Sequence, residues 1–256
     1  MSVTIIVKST IGAGIISLPY TINKLGYILS IIAFVVFFAL NQYCTVLLLK
    51  SKNLSRHSNF STILYYIWHS DGSKIFGSAL IFVDNLGTCI LEFILIKSSI
   101  RNIAREVSGD PNITDNFYCS EWFIVVVVGL ILFPLVLIKK IERLRVFSFI
   151  GVGGVIVFAV AIIVLYIAKR IDGFPGMTMQ PFPRDWFGAA SAVANIIFAF
   201  NFQMNFFPIF KGLKDASDSK MEKACLVGLI GCAVPYLAVG FIGYSMAGDG
   251  SKANFL

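Results

Sequence analysis

A few polar side chains stand inside long apolar stretches, and their types could support chemistry. The clearest are Lys8, Glu92, Asn201 and Gln203. Ionisable groups at membrane depth are costly and usually functional. The sequence contains no His-Glu-x-x-His metal spacing, no Gly-x-Ser-x-Gly turn and no glycine-rich phosphate or dinucleotide motif. These polar groups therefore favour binding over catalysis, and neither a metal site nor a cofactor is expected.

Two of the apolar stretches carry residues that interrupt a helix. The first contains Gly12-Ala13-Gly14 followed by Pro19, and the sixth contains polar residues within 201–205 followed by Pro208. Glycine frees the backbone and proline removes a hydrogen-bond donor. Matching interrupted helices in two halves of a chain point to a transporter's binding site. The alternative is that Gly12 and Gly14 only allow close helix packing.

The surrounding elements are predicted to be membrane-spanning helices. The chain of 256 residues is 57% hydrophobic and 14% charged, whereas soluble domains carry about 25% charged residues. Apolar runs have the ~20 residues that a helix needs to cross the hydrocarbon layer. We predict an all-α integral membrane protein, with residues 1–256 as one transmembrane domain. The seven predicted spans are roughly 4–23, 27–49, 77–100, 122–139, 146–168, 188–210 and 222–247.

The basic residues predict the orientation of these spans. With the N-terminus in the cytosol, thirteen of the 21 Lys and Arg residues fall on the cytosolic side, as the positive-inside rule expects. The net charge of +7 is explained in the same way, so no nucleic-acid partner is expected. Asn112 begins an Asn-x-Thr glycosylation sequence on the outer side. Similar sequences at Asn53 and Asn59 fall on the inner side, so these motifs do not decide the orientation.

Four segments resemble the amino-acid/auxin permease family. Residues 9–20 (STIGAGIISLPY) resemble its first-helix signature, and residues 198–210 (FAFNFQMNFFPIF) resemble its sixth-helix signature. Residues 138–144 with Ser148 resemble the turn after helix four, and residues 240–244 with Gly248 resemble the end of helix seven. The resemblance covers essentially the whole chain.

This resemblance implies secondary active transport of amino acids by alternating access. It also implies a LeuT-type core of two inverted five-helix repeats, with the first repeat at about 4–168 and the start of the second at about 188–247. Family members usually have about eleven spans, so we expect this chain to be an incomplete portion of the transporter. Gln203 stands where many members have His, and Gly212 where many have Glu. The alternative is a membrane receptor or scaffold that keeps the permease fold without transport.

The expected site uses backbone groups freed at the two interruptions. Amide groups and the helix dipole favour an anion, so we expect the substrate carboxylate at Gly12, Ala13 and Gly14. We expect the substrate ammonium to be accepted by freed carbonyl groups. These belong to Thr10, Ile11, Phe198, Ala199 and Asn201. Phe202 and Gln203 are candidates for side-chain selectivity.

The coupling ion is predicted from Lys8 and Glu92. Sodium-coupled family members have an Asn near the start of helix one, where this chain has Lys8. An ammonium at that position would repel sodium, so we expect proton coupling, with Glu92 as a candidate proton carrier. The alternatives are that Lys8 extends to the cytosolic headgroups and that Glu92 is a structural hydrogen-bonding group. The expected partners are an amino acid, a proton rather than sodium, and lipid. The expected location is the vacuolar, lysosomal or plasma membrane.

Overall fold

The structure is a computed structural model, and it describes residues 6–7, 10, 14–109, 120–137, 145–174, 179–213 and 216–247. All regular elements within these ranges are helical. They are α1 (Gly14–Leu25), α2 (Tyr27–Ser55), α3 (Phe60–Trp68), α4 (Asp71–Ser108), α5 (Glu121–Val136), α6 (Arg145–Ile171), α7 (Trp186–Ala199), a 3-10 turn (Gln203–Asn205), α8 (Phe206–Lys211) and α9 (Asp218–Ala247).

The described helices have the length and composition of membrane spans. Within the described ranges, five helical segments are long and apolar enough to cross a bilayer, and a shorter apolar helix covers Trp122–Pro134. The five are Tyr27–Ser55, Asp71–Ser108, Gly151–Ile171, Trp186–Lys211 and Asp218–Met246. Large apolar side chains such as Val35, Phe82 and Leu130 are 63–69% exposed. Lipid is the solvent that such a surface requires, so the chain is an integral membrane protein.

Five of the seven predicted spans correspond to these segments, with longer ends in several cases, and the fourth, predicted at 122–139, corresponds to the shorter apolar helix. For example, α4 has 38 residues and begins at Asp71, because the polar residues that precede the apolar run are also helical. The described part of the first predicted span is α1 together with helical residues at 6, 7 and 10.

The sequence analysis did not predict α3. This nine-residue helix is too short to cross a bilayer, which needs ~20 residues. It begins where the Asn59 side chain accepts a hydrogen bond from the Ser61 amide, and it ends at His69 in the left-handed conformation. His57 and His69, which flank α3, are exposed.

The chain divides into two compact units. The first contains Met1–Ala79 and Val146–Phe255, and the second contains Leu80–Arg145. The boundary falls within α4. In the first unit, α1 packs against both α7 and α9, while α2 packs against α9 and α1. The fully buried Leu18, Ile22 and Leu25 make α1 the centre of this unit.

The second unit contains the rest of α4 and the helix α5. Between them lies a largely apolar cavity of about 470 Å³. It is lined by Ile90, Phe93, Ile94, Lys97, Trp122 and Val125.

A glycine turn fixes the position of α2 relative to α1. Gly26 has φ of 75°, and a Cβ atom there would lie 2.7 Å from the backbone of Pro181 and Phe182. The backbone can therefore approach closely, and the first amides of α2 donate to the carbonyls of Gln180 (2.9 Å) and Pro181 (3.2 Å). These bonds satisfy helix N-terminal donors that have no partner within the helix.

Candidate binding site at the helix breaks

The sixth span is interrupted, as the sequence predicts. Helix α7 ends at Ala199, a 3-10 turn covers Gln203–Asn205, and α8 begins at Phe206. The residues at 200–202 are outside regular helix. The Phe200 amide still donates to the Ile196 carbonyl at 3.2 Å. The Asn201 amide donates to the Phe198 carbonyl at 3.1 Å, so the carbonyl of Ala199 is the one that accepts from a side chain on another helix.

The start of α1 lies directly against this interruption. Gly14 is the first residue of α1, and a Cβ atom added there would lie 3.0 Å from both the Cα and the Cβ of Ala199. Such a separation is shorter than ordinary van der Waals contact. The glycine therefore allows the first span to approach the end of α7 more closely than a side chain would. The predicted break at Gly12 and Ala13 lies outside the described residues.

A tyrosine hydroxyl connects the first span to the interrupted sixth span. The Tyr236 hydroxyl on α9 lies 2.8 Å from the Thr10 carbonyl oxygen and 2.9 Å from the Ala199 carbonyl oxygen. Tyr236 is completely buried, and Thr10 is 3% exposed. Thr10 and Ala199 are both among the predicted ammonium acceptors. The structure therefore brings one carbonyl from the first span and one from the end of α7 to a single polar point inside the first unit.

A second polar network reaches the break from α2. The side-chain amide nitrogen of Gln203 donates to the side-chain oxygen of Asn41, and Asn41 donates to the Phe37 carbonyl at 2.7 Å. The side-chain oxygen of Gln203 accepts from the Phe202 amide at 3.2 Å. Asn41 is 7% exposed. Gln203 therefore connects the non-helical segment to α2, and these bonds hold its amide group in one orientation.

Aromatic rings lie against the break on the side that faces the core of the first unit. Phe200 and Phe202 are at most 1% exposed. The Phe200 ring makes edge-to-face contacts with Phe34 and Tyr236, each with ring centroids 5.7 Å apart. Phe198 and Asn201 are half-buried. The break is thus a polar backbone segment enclosed by apolar rings, a setting in which backbone hydrogen bonds are strong and unsatisfied groups are costly.

The remaining predicted site residues lie elsewhere or outside the described ranges. Lys8, Ile11 and the glycosylation candidate Asn112 fall in the latter group. Glu92 belongs to the second unit, where its side chain is exposed and has an interaction partner. Among the described residues, no group of three or more His, Cys, Asp or Glu lies close enough to hold a metal ion.

Sequence reasoning missed Asn41 and Tyr236. Each had a weak signal. Asn41 is a polar residue within a long apolar run. Tyr236 follows Pro235 and lies between Cys232 and Gly240 at intervals of four, which places all three on one face of a helix. The sequence did not show that this face lies against both the first span and the break in the sixth span.

An ion pair holds the end of α2 against the start of α9. The Lys52 ammonium lies 2.6 Å from an Asp218 carboxylate oxygen, and Asn53 donates to the other oxygen. The Lys52 ammonium also lies 4.0 Å from the centroid of the Phe210 ring in α8. This cluster therefore joins α8, the second half of the interrupted span, to α2 and α9.

The fold and the break define an all-helical membrane protein whose interrupted span packs against α1 and is hydrogen-bonded to Tyr236 of α9. Over residues 1–256 the chain matches the family described as transmembrane amino acid transporter protein. The chain belongs to this family. No solved structure matches the chain.

The chain is similar to several curated relatives. It is 27% identical to amino acid transporter AVT6C of Arabidopsis thaliana, over 97% of this chain and 59% of the relative. It is 22% identical to sodium-coupled neutral amino acid transporter 7 of Danio rerio, over 100% of this chain and 55% of that protein. It is 25% identical to vacuolar amino acid transporter 7 of Saccharomyces cerevisiae, over 98% of this chain and 50% of that protein. The chain therefore spans between half and three-fifths of the length of these relatives.

Proposed function

We propose that these residues are part of a secondary active transporter that moves amino acids across a membrane by alternating access. The observation that carries the proposal is the interruption of the sixth span after Ala199, enclosed by protein and packed against Gly14. An interrupted helix at membrane depth is tolerated only where protein or a wet cavity satisfies its backbone. Transporters use such interruptions to bind their substrates.

The substrate class follows from the groups that converge on the break. An amino acid presents a carboxylate and an ammonium group. The carbonyls of Thr10 and Ala199 reach one point and are acceptors suited to an ammonium. The interruption that the sequence predicts at Gly12–Gly14 would free amides suited to a carboxylate, because the N-terminus of a helix carries partial positive charge. All three relatives named above are amino acid transporters by name, which favours the same substrate class.

The proposed architecture is a LeuT-type core. Under this proposal α1 and the interrupted span α7–α8 occupy equivalent positions in two inverted repeats, and the substrate binds between them. Their close packing in the first unit supports this arrangement. Because the binding groups come from the backbone, they suit many amino acids, and selectivity then depends on neighbouring side chains such as Phe202 and Gln203.

The proposed coupling ion is the proton. At an effective dielectric constant of ~20 and a distance of ~4 Å, the Lys8 ammonium would disfavour a sodium ion by roughly 4 kcal/mol, or about a thousandfold in affinity. Glu92 is the proposed proton carrier. Sodium is the second candidate, because the Danio rerio relative is named as sodium-coupled.

The proposed location is a vacuolar or lysosomal membrane, with the plasma membrane as the alternative. The name of the Saccharomyces cerevisiae relative favours the vacuolar assignment. The distribution of Lys and Arg favours a cytosolic N-terminus.

The test is amino-acid uptake by the protein at its full encoded length, reconstituted into lipid vesicles. The pH is set separately on each side, and sodium is replaced by choline. We expect uptake that follows the pH gradient and continues in choline, and we expect Glu92→Gln to flatten the pH dependence. Uptake that stops in choline at a constant pH gradient would assign coupling to sodium. Vesicles that take up no amino acid from a broad mixture would contradict the proposed function.

A further inference from the structure

The Tyr236 hydroxyl has two acceptors and one proton. It lies 2.8 Å from the Thr10 carbonyl oxygen and 2.9 Å from the Ala199 carbonyl oxygen. A phenol carries one O–H donor, and a backbone carbonyl can only accept. The proton is therefore shared between two buried carbonyls, and neither receives a full hydrogen bond at all times. Both keep acceptor capacity for a ligand that brings additional N–H donors.

The environment of Tyr236 keeps the hydroxyl at this point. One turn earlier on α9, the Cys232 sulfur lies 3.9 Å from the Val7 carbonyl oxygen. One turn later, a Cβ atom at Gly240 would lie only 2.6 Å from the end of the Ile22 side chain. The Tyr236 ring is completely buried and makes an edge-to-face contact with Phe200. This face of α9 therefore lies closely against the first span, and the ring has little room to move its hydroxyl.

The carbonyls of Thr10 and Ala199 belong to different spans, so their separation is not fixed by local chain geometry. Thr10 and Tyr236 are 226 positions apart in the sequence, and Ala199 and Tyr236 are 37 apart. A donor on a third helix can hold both carbonyls at one point without being part of either span. The hydroxyl on α9 is such a group.

We propose that Tyr236 is a positioning residue that holds the carbonyls of Thr10 and Ala199 together, so that both accept hydrogen bonds from the substrate's ammonium group. This inference rests on the proposed transport of amino acids. An ammonium has three N–H donors, so it can supply the hydrogen bonds that one phenol proton leaves incomplete. Tyr236 thereby links ammonium binding to the packing of α1, α7 and α9.

The experiment compares Tyr236→Phe with Tyr244→Phe in the reconstituted full-length protein. Tyr244 is a matched control, because it is also on α9, is 1% exposed, and its hydroxyl accepts from the Gln180 amide at 3.2 Å, away from the breaks. Both variants lose one buried hydroxyl. We expect Tyr236→Phe to raise the KM for amino-acid uptake roughly five- to tenfold, the factor that corresponds to about 1.0–1.4 kcal/mol. We expect Tyr244→Phe to leave KM within about twofold.

A second readout separates positioning from a structural role. The 2-hydroxy acid that corresponds to the substrate keeps the carboxylate and side chain but lacks the ammonium group. The ratio of its inhibition constant to that of the amino acid measures how strongly the site recognises the ammonium, and it does not depend on the amount of folded protein. We expect Tyr236→Phe to reduce this ratio and Tyr244→Phe to preserve it. An unchanged ratio in Tyr236→Phe would overturn the inference. A lower KM in that variant would also overturn it, because the hydroxyl would then compete with the substrate.

If Tyr236→Phe does not accumulate, 3-fluorotyrosine at position 236 keeps the shape of the ring and makes the hydroxyl a stronger donor. We expect this replacement to change the ratio, whereas the same replacement at position 244 should not. An unchanged ratio at position 236 would again overturn the inference. Absence of any amino-acid uptake by the unmodified protein would count against the proposed function instead.

Discussion

Replacing Gly14 with alanine tests the contact between α1 and the break in the sixth span. The added methyl group would lie 3.0 Å from the Cα and the Cβ of Ala199. The Cα atom belongs to the backbone, so the contact can be relieved only by moving one of the two helices. Overpacking of this kind costs ~1–3 kcal/mol. The gain in helix propensity is at most ~1 kcal/mol and is smaller at the first residue of a helix. We therefore expect a net destabilisation of ~1–2 kcal/mol.

The assay is thermal stability in detergent together with uptake by the reconstituted full-length protein. We expect Gly14→Ala to lower both, since a cost of ~1.4 kcal/mol reduces the closely packed population about tenfold. Gly87→Ala is the matched control, because Gly87 lies inside α4 with nothing within 4 Å of an added Cβ. It should be neutral or slightly stabilising. Adding Ala199→Gly to Gly14→Ala should recover part of the loss, since it removes one of the two crowded atoms.

One result would refute this reasoning. If Gly14→Ala behaves like Gly87→Ala in both assays, the close approach of α1 to the end of α7 is not required. Full recovery in the double variant would show that only the Ala199 methyl group is crowded and that the backbone approach is unimportant.

Two further predictions concern side-chain contacts, and a third concerns the orientation in the membrane. Asn41→Leu should destabilise the protein by ~1 kcal/mol, because the half-buried Gln203 amide loses its acceptor. Gln203→Leu added to it should cost little more in a thermal-stability double-mutant cycle. Asp218→Asn should lower stability by ~1 kcal/mol or less, because the Lys52–Asp218 ion pair is partly exposed. A double variant with Asp at position 52 and Lys at position 218 should restore most of the lost stability. Absence of any restoration would argue against the ion pair. A cysteine at the exposed Ser70 should react with an impermeant label only after the membrane is permeabilised, and labelling of intact cells or organelles would invert the proposed orientation.

The sequence predicted the helices and the break because both depend on local composition. Apolar runs of sufficient length indicated the spans, and polar residues before Pro208 indicated the interruption. These signals lie within one segment. The short helix α3 was missed because its nine residues lie below the length that marks a span, and its start depends on the Asn59 side chain.

The partners of the break could not be predicted, because they come from distant positions. Tyr236 contacts a residue 226 positions away, and Gln203 contacts Asn41 162 positions away. A hydrophobic pattern gives the face of a helix, but it does not give the neighbour on that face. The roles predicted for Lys8 and for Gly12 and Ala13 remain predictions, since these residues lie outside the described ranges.

The most direct test of the central claim is substrate protection at the break. A single cysteine replaces the half-buried Asn201 in a full-length protein whose native cysteines are removed, and its reaction with a small thiol reagent is timed. We expect a transported amino acid to slow this reaction at concentrations near its KM. The corresponding 2-hydroxy acid should slow the reaction much less. An identical labelling rate with and without saturating amino acid, in a variant that still transports it, would contradict a substrate site at this break.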